Sequence, residues 1–389
     1  MTDLAPKRGK SFNTALITLF LAAICLPVTD TVLSLDRTRL SASDASPVRL
    51  PGTLGPRELI KYAGTMKWQL QTTFGFKAAL VRLHGTVKVK WLGISASPRV
   101  VLGRDGWLFL ADERTIDDCC GLVPFTDEEL RAWKDVLEAR AAWFAERGIT
   151  YLLVIAPDKH SVYGEYLPES TRQARGRTRL DQLVGYLERN SRFRIVDARP
   201  ALRNARLQRR VYNRTDSHWN DVGGFIASQE IAARLSSRFS SIMPASMSDC
   251  TLSSAVVSGG DLARFLGLKF DMTEDWLLVR RPARRVVGDA SGGILKVTTV
   301  DVVRRDVVVT ECPDGEVPRA VVFRDSFGEA LMPWLSEHFK RAVYVWSDEL
   351  VPDVIERERP DVVIQEFIER RLLTMRAENP EGSGGKMMR

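Results

Sequence analysis

Histidine is scarce in this 389-residue chain: there are four, His84, His160, His218 and His338. A mechanism that uses an imidazole base has those four candidates and no others. No His-x-x-x-His, Cys-x-x-Cys or His-Glu-x-x-His spacing occurs, and Cys119-Cys120 has no histidine nearby, so a metal site is not expected. Neither a Walker loop nor a dinucleotide-binding fingerprint is present, and no cofactor is expected. No block of Lys and Arg is interleaved with aromatics, and no zinc-finger or RNA-binding signature occurs, which argues against nucleic acid as a partner. Cysteine is sparse too, with five in all. Cys25 lies in an apolar run, which leaves Cys119, Cys120, Cys250 and Cys312. In an oxidising compartment Cys119 and Cys120 would pair separately with Cys250 and Cys312, or some would stay free, since bridging adjacent residues strains the backbone.

The rest of the composition is that of a folded protein, 44% hydrophobic and 27% charged. Lys and Arg outnumber Asp and Glu by 56 to 49, for a net charge of +7. Such a balance suits an anionic ligand without requiring one. Lys7, Arg8 and Lys10 precede a stretch without charge that reaches Asp30, centred on the apolar run from Ala15 to Leu26. A basic flank before an apolar run fits either a signal peptide or an uncleaved anchor, and with no clear cleavage site before Asp30 the anchor is favoured over residues 1–29. The positive-inside rule would then leave Lys7, Arg8 and Lys10 in the cytoplasm and the remainder outside it.

Residues 30–59 read as a linker. An amphipathic helical region with Trp68, Phe74 and Phe76 is expected between Glu58 and about Val89. Val100-Val101-Leu102 and Leu108-Phe109-Leu110 read as short strands joined by a turn at Arg104-Asp105-Gly106, because Asp-Gly supplies the positive φ that tight hairpins need. From residue 126 helix and strand alternate. Thr126 caps a helix that runs to Gly148; a strand follows at Tyr151–Ala156, a helix at 178–190, a strand at Phe193–Asp197 and a helix from Asn220-Asp221. Near the C-terminus come a strand at Ala320–Phe323, a helix to about Phe339, a strand at Ala342–Trp346, a helix at 350–358 and a strand at Asp361–Gln365. This alternation predicts an α/β fold whose mostly parallel sheet carries helices on both faces. Residues 245–316 break the rhythm and predict a β-rich insertion, and 377–389 read as a polar tail.

Two of the four histidines stand in Asp-x-His: Asp158-Lys159-His160 and Asp216-Ser217-His218. On an extended segment residues i and i+2 point to one side, so the Asp can take the Nδ1 proton and leave Nε2 outward as a base. Asp158 and His160 follow a core strand's C-terminal end, where open α/β sheets place ligand sites. Asp216 and His218 precede a capped helix. The nucleophile candidate is Ser326 in Phe323-Arg324-Asp325-Ser326-Phe327-Gly328, where a sharp strand-to-helix turn would expose Oγ and the helix N-terminus would stabilise an oxyanion. A serine that only caps that helix is the alternative. His84 and His338 read as packing or surface residues.

These segments, together with Asp105-Gly106-Trp107-Leu108-Phe109, Pro157–Tyr163 with Leu167-Pro168, and Thr215-Asp216-Ser217-His218-Trp219-Asn220, occur in the order found in a known family. Over about residues 60–375 the chain resembles the AlgX/AlgJ family of SGNH hydrolase-like polysaccharide O-acetyltransferases, and residues 60–376 are expected to form that domain. The resemblance implies a permuted SGNH-like fold with the serine after the Asp-x-His element. It also implies Ser326 as the acetylated nucleophile, His218 as general base and then acid, and Asp216 as its orienting carboxylate. Family members acetylate exopolysaccharides such as alginate, with a membrane-bound O-acyltransferase as donor. By resemblance the chain would be an AlgJ-like periplasmic protein held at the inner membrane. Lys159, His160 and Arg370 are expected to bind the acceptor. Two features depart from the pattern of serine esterases of this class: Arg324 replaces the usual Gly two before the nucleophile, and no separate Gly and Asn of an oxyanion hole stand out. A carbohydrate acetylesterase with the same triad, or a non-catalytic scaffold, are the rival readings.

Overall fold

A computed structural model describes residues 8–33, 76–281, 288–289, 297–300, 305–312 and 316–377. The chain divides into two units, Met1–Ala96 and Ser97–Arg389.

In the first unit, α1 spans Arg8–Leu33 and α2 spans Lys77–Gly85. Trp68 and Phe74, expected on a longer amphipathic helix, lie outside the described residues, as do most of the linker and nearly all of the tail. Among the described residues no helix is long and apolar enough to cross a membrane. This overturns the N-terminal anchor, and with it the inner-membrane attachment and the localisation drawn from it. The physical reason is that uncharged is not the same as apolar. Within the uncharged stretch Asn13 and Thr14 precede the apolar run, Thr18 interrupts it and Pro27 follows it. Ala15 to Leu26 rises only about 18 Å at 1.5 Å per residue, against roughly 30 Å of hydrocarbon core.

The second unit is built on an eight-stranded sheet. In chain order β1 (Val100–Leu102) and β2 (Leu108–Leu110) form a small antiparallel hairpin apart from it. Their turn places Asp105 at φ 54° and Gly106 at φ 76°, as Asp-Gly predicts. The main sheet holds β3 (Thr150–Ala156), β4 (Val196–Asp197), β7 (Gly288–Asp289), β8 (Val297–Val300), β9 (Arg305–Glu311), β10 (Arg319–Arg324), β11 (Arg341–Trp346) and β12 (Val362–Ile368). Its order is β4-β3-β12-β10-β11-β9-β7, with β8 also on β9. The run from β4 to β11 is parallel, whereas β7, β8 and β9 pair antiparallel. A second hairpin, β5 (Thr251–Ser258) with β6 (Thr273–Arg280), stands off the sheet. The strands among the described residues of the 245–316 region therefore divide between that hairpin and the antiparallel edge. The strand expected at Phe193–Asp197 shortens to two residues.

Side chains alternate along each central strand, so the sheet feeds two cores. Leu152 and Val154 of β3 and Ala320 and Val322 of β10 face one core, while Leu153, Ile155, Val321 and Phe323 face the other. Helix α3 (Asp127–Glu146), α5 (Arg179–Asn190) and α9 (Pro352–Glu358) seal the second core through Trp133, Leu137, Leu183 and Ile355. On the opposite face α6 (Arg199–Ala205) and α7 (Asp221–Ser236) supply Leu202, Phe225 and Ile231. Thr126 caps α3 and Thr178 caps α5, each in a reciprocal capping box.

After β10 the continuous helix expected to Phe339 is broken into short pieces, Phe327–Ala330, Met332–Leu335 and Ser336–His338. Pro333 sits in the middle of this run, and a proline has no N–H to continue an α-helical ladder. No disulfide joins Cys119, Cys120, Cys250 or Cys312.

Candidate active site

Ser326 lies directly past the C-terminal end of β10, at the centre of the parallel sheet, on a half-buried turn. The turn is held by Asp325. Its Oδ1 accepts the Phe327 N–H at 2.7 Å and its Oδ2 accepts the Ile368 N–H at 2.8 Å, which fastens the serine to the end of β12. Asp325 was legible as part of a motif but not as this brace. Its first bond also corrects an expectation: the Phe327 N–H is already taken and the following helical turn has four residues, so no long helix dipole aims at the serine.

The second segment is the loop from Val211 to Asn220 that enters α7. Asn220 caps the helix by accepting the Gly223 N–H at 3.1 Å. Trp219 is buried and its Nε1 donates to the Phe327 carbonyl at 3.0 Å, so the loop is pinned directly onto the serine turn. The His218 ring lies 4.7 Å from the Phe327 ring.

With both segments fixed, three side chains fall into line. Ser326 Oγ and His218 Nε2 are 2.8 Å apart. His218 Nδ1 and Asp216 Oδ1 are 2.7 Å apart, and the same oxygen accepts the His218 backbone N–H at 2.9 Å. Oδ2 of Asp216 accepts the Asp261 N–H at 3.0 Å. Burial works against charge on Asp216, yet the hydrogen bond and charge of His218 prevail and hold its carboxyl down to about 2. For His218, burial disfavours the imidazolium, but Asp216 outweighs it and raises the ring above its ordinary value. An anionic Asp216 thus fixes the tautomer with Nδ1 protonated and Nε2 free to accept from the serine.

Sequence reasoning missed the brace around this loop. It comes from the short helix α8 (Asp261–Phe265) and from β6. Asp261 accepts Ser217 N–H at 2.8 Å and Ser217 Oγ–H at 2.5 Å. Glu274 accepts the Arg214 N–H at 2.9 Å, the Thr215 N–H at 2.7 Å and the Thr215 hydroxyl at 2.6 Å. Asp261 and Glu274 are 44 and 59 residues from their partners, so no local spacing reveals them. The one local signal was Gly259-Gly260-Asp261, a pair of glycines where backbone approaches closely. A Cβ on Gly260 would lie 2.4 Å from Asp216 Oδ2.

The three residues expected at the acceptor divide. Arg370 lies at the site, with Nη1 on Asp158 Oδ1 at 2.7 Å and its guanidinium 5.9 Å from the Phe327 ring. Lys159 and His160 are buried, which removes both from an acceptor's reach. The Lys159 ammonium rests on the Leu108 and Arg214 carbonyls, and burial lowers it to about 8 against the pull of Asp216, Asp261 and Glu274. Burial lowers His160 to about 4. The sequence treats Asp-Lys-His as polar, but Phe109 packs beside the His160 ring at 5.3 Å and closes the segment over. Among the described residues Asp216, His218 and Asp261 are the one grouping with three possible metal-ligand atoms within 4.8 Å of one another. Asp216 is already engaged with the His218 ring, and the Asp261 carboxylate with Ser217.

A strand-end serine, an imidazole and a half-buried carboxylate in series form the arrangement that serine acyl transfer uses. A Pseudomonas putida protein named "Probable alginate O-acetylase AlgJ" is 31% identical over 145 residues, covering 36% of this chain and 34% of that protein. Its Pseudomonas aeruginosa namesake is 27% identical over 193 residues, covering 47% of this chain and 44% of the relative. The matched region spans less than half the length of these relatives. In fold, the chain is similar to the structure of Bacillus cereus PatB1, with a TM-score of 0.50 and 15% identity over 72% of this chain and 98% of that one. The family model described as "SGNH hydrolase-like domain, acetyltransferase AlgX" matches residues 100–295, half of the chain. The chain belongs to this AlgX family of SGNH hydrolase-like acetyltransferase domains.

Proposed function

We propose that the protein transfers acetyl groups to hydroxyls of an alginate-like polysaccharide through an acetyl-Ser326 intermediate. The observation that carries the reading is the unbroken series Ser326 Oγ, His218 Nε2, His218 Nδ1 and Asp216 Oδ1, with 2.8 Å and 2.7 Å between partners. The serine follows the Asp-x-His element in the chain, the permuted order that the family resemblance implies. Alginate enters from the names of the AlgJ relatives.

In the first half-reaction Ser326 Oγ attacks the carbonyl carbon of an activated acetyl ester while His218 Nε2 takes the hydroxyl proton. Asp216 stabilises the imidazolium that results. His218 then returns the proton to the departing oxygen and the C–O bond to the donor breaks. In the second half a sugar hydroxyl gives its proton to His218 and attacks the acetyl carbon. The ester to Ser326 breaks, and the serine recovers its proton.

Incubation of the protein with an acetyl ester, with and without alginate oligosaccharide, tests the reading. Acetylated sugar that forms with the native chain and not with Ser326→Ala is the expected result. Acetate release unaffected by sugar, with no acetylated sugar, would replace transferase by esterase. Transfer that is unchanged in Ser326→Ala would leave the serine without a catalytic role.

A further inference from the structure

Lys159 opens the one-turn helix α4 (Lys159–Tyr163), directly after β3 and Pro157-Asp158. It is a charged side chain at 2% exposure, with Trp107 and Phe109 within 6 Å of its ammonium. Nζ donates to the Leu108 carbonyl at 2.9 Å and to the Arg214 carbonyl at 3.1 Å. From the other side β6 delivers Glu274, also buried, whose Oε2 accepts the Thr215 N–H at 2.7 Å. The Arg214 carbonyl and the Thr215 N–H belong to one peptide group. Its oxygen faces an ammonium and its hydrogen faces a carboxylate, so a dipole of about 3.5 D lies between opposite charges away from water. The next residue is Asp216, which holds the His218 ring.

We propose that Lys159 and Glu274 act together as positioning residues: they grip the Arg214–Thr215 peptide by its two poles and thereby set the angle at which Asp216 meets His218. This deepens, and rests on, the reading of Asp216, His218 and Ser326 as the catalytic set. Rotation of that peptide would break the bonds to both charges at once. Removal of either charge releases one pole of that peptide and weakens the hold of the other, although Arg210 still pairs with Glu274 at 3.4 Å and Asp216 and Asp261 still favour the Lys159 ammonium. The two residues therefore act as a coupled pair.

The test uses the full-length chain and the variants Glu274→Gln, Lys159→Met, the double variant, Lys159→Arg and Thr215→Val. Two readouts are taken: kcat and KM for acetyl transfer per folded molecule, and the low-field proton resonance of the His218 Nδ1–H shared with Asp216. Each single neutralisation is expected to lower kcat on the order of 10- to 100-fold, with KM within about twofold, and to shift or erase the resonance. The double variant is expected to be no worse than the more damaged single, and Lys159→Arg to recover part of the loss. Thr215→Val removes the hydroxyl's contacts to Glu274 and to the Gly260 N–H and is expected to move both readouts in the same direction, while Thr215→Ser, which keeps both contacts, is expected to retain them; this pair keeps the test decisive if a charge variant does not fold. A fall in thermal stability alone, with kcat and the resonance retained, would overturn the proposal; so would losses that multiply in the double variant. The resonance reports the Asp216–His218 geometry without any acetyl chemistry. An inactive native protein would thus sink the functional reading while leaving this test in force.

Discussion

Asp325 Oδ2 accepts the backbone N–H of Ile368 at 2.8 Å, a bond that joins the residue before the serine to the last residue of the neighbouring strand β12. With Oδ1 on the Phe327 N–H, one carboxylate satisfies two buried donors and fixes the turn between them. An amide in its place can accept at one atom only and sets an N–H against the other donor. Asp325→Asn should therefore loosen the serine and lower kcat on the order of 100-fold, with the fold retained by circular dichroism. Wild-type kcat in that variant would show that the turn is set by other contacts.

The pH dependence follows from His218. Burial disfavours the imidazolium, Asp216 outweighs that effect, and the ring titrates above its ordinary value. Only the neutral ring accepts the serine proton, so kcat/KM should rise with pH through this elevated value, with an acid-limb midpoint above about 6.5. Asp216→Asn removes the charge that raises it. Its residual activity should show the limb at lower pH, and an unmoved limb would assign the titration to another group.

Gly260 lies against Asp216 at an ordinary backbone angle, so the demand here is for space and not for conformation. Gly260→Ala would place a methyl group 2.4 Å from Asp216 Oδ2 unless one of them moves. The expected outcome is a large loss of kcat with modest loss of stability, since the change displaces the carboxylate that orients the ring. Full activity in a folded Gly260→Ala protein would mean that the loop yields without cost.

Glu369 carries a stability consequence. It is buried, accepting the Asp158 N–H at 2.9 Å and the Thr178 hydroxyl at 3.0 Å. Burial raises it from 4.5 to about 7, against the opposing charge of Arg199. Between those values the folded chain holds a proton that the unfolded chain has released, so stability falls as pH rises through that window. Glu369→Gln cannot titrate, and its denaturation midpoint should fall less steeply than wild type from pH 4.5 to about 7. Parallel curves for the two proteins would exclude this contribution.

The parallel sheet was legible because its strands are β-branched runs bounded by breakers, and their alternation with capped helices leaves few other architectures. Ser326, His218 and Asp216 were legible through their residue types and their places at a strand end and before a helix. The acceptor assignments were less so. Lys159 and His160 read as polar, and only the packing of Trp107 and Phe109, some fifty positions earlier, buries them. Asp261 and Glu274 have no local pattern because their partners arrive from distant chain. The N-terminal run misled for a different reason: lack of charge was read as hydrocarbon length.

The most direct test is to expose the native chain to an acetyl ester without acceptor, digest it, and map the acetyl group by mass spectrometry. The account predicts acetyl on the peptide bearing Ser326, lost when oligosaccharide is added and never formed in His218→Ala. Robust transfer with no acetyl on Ser326 at any time would contradict it.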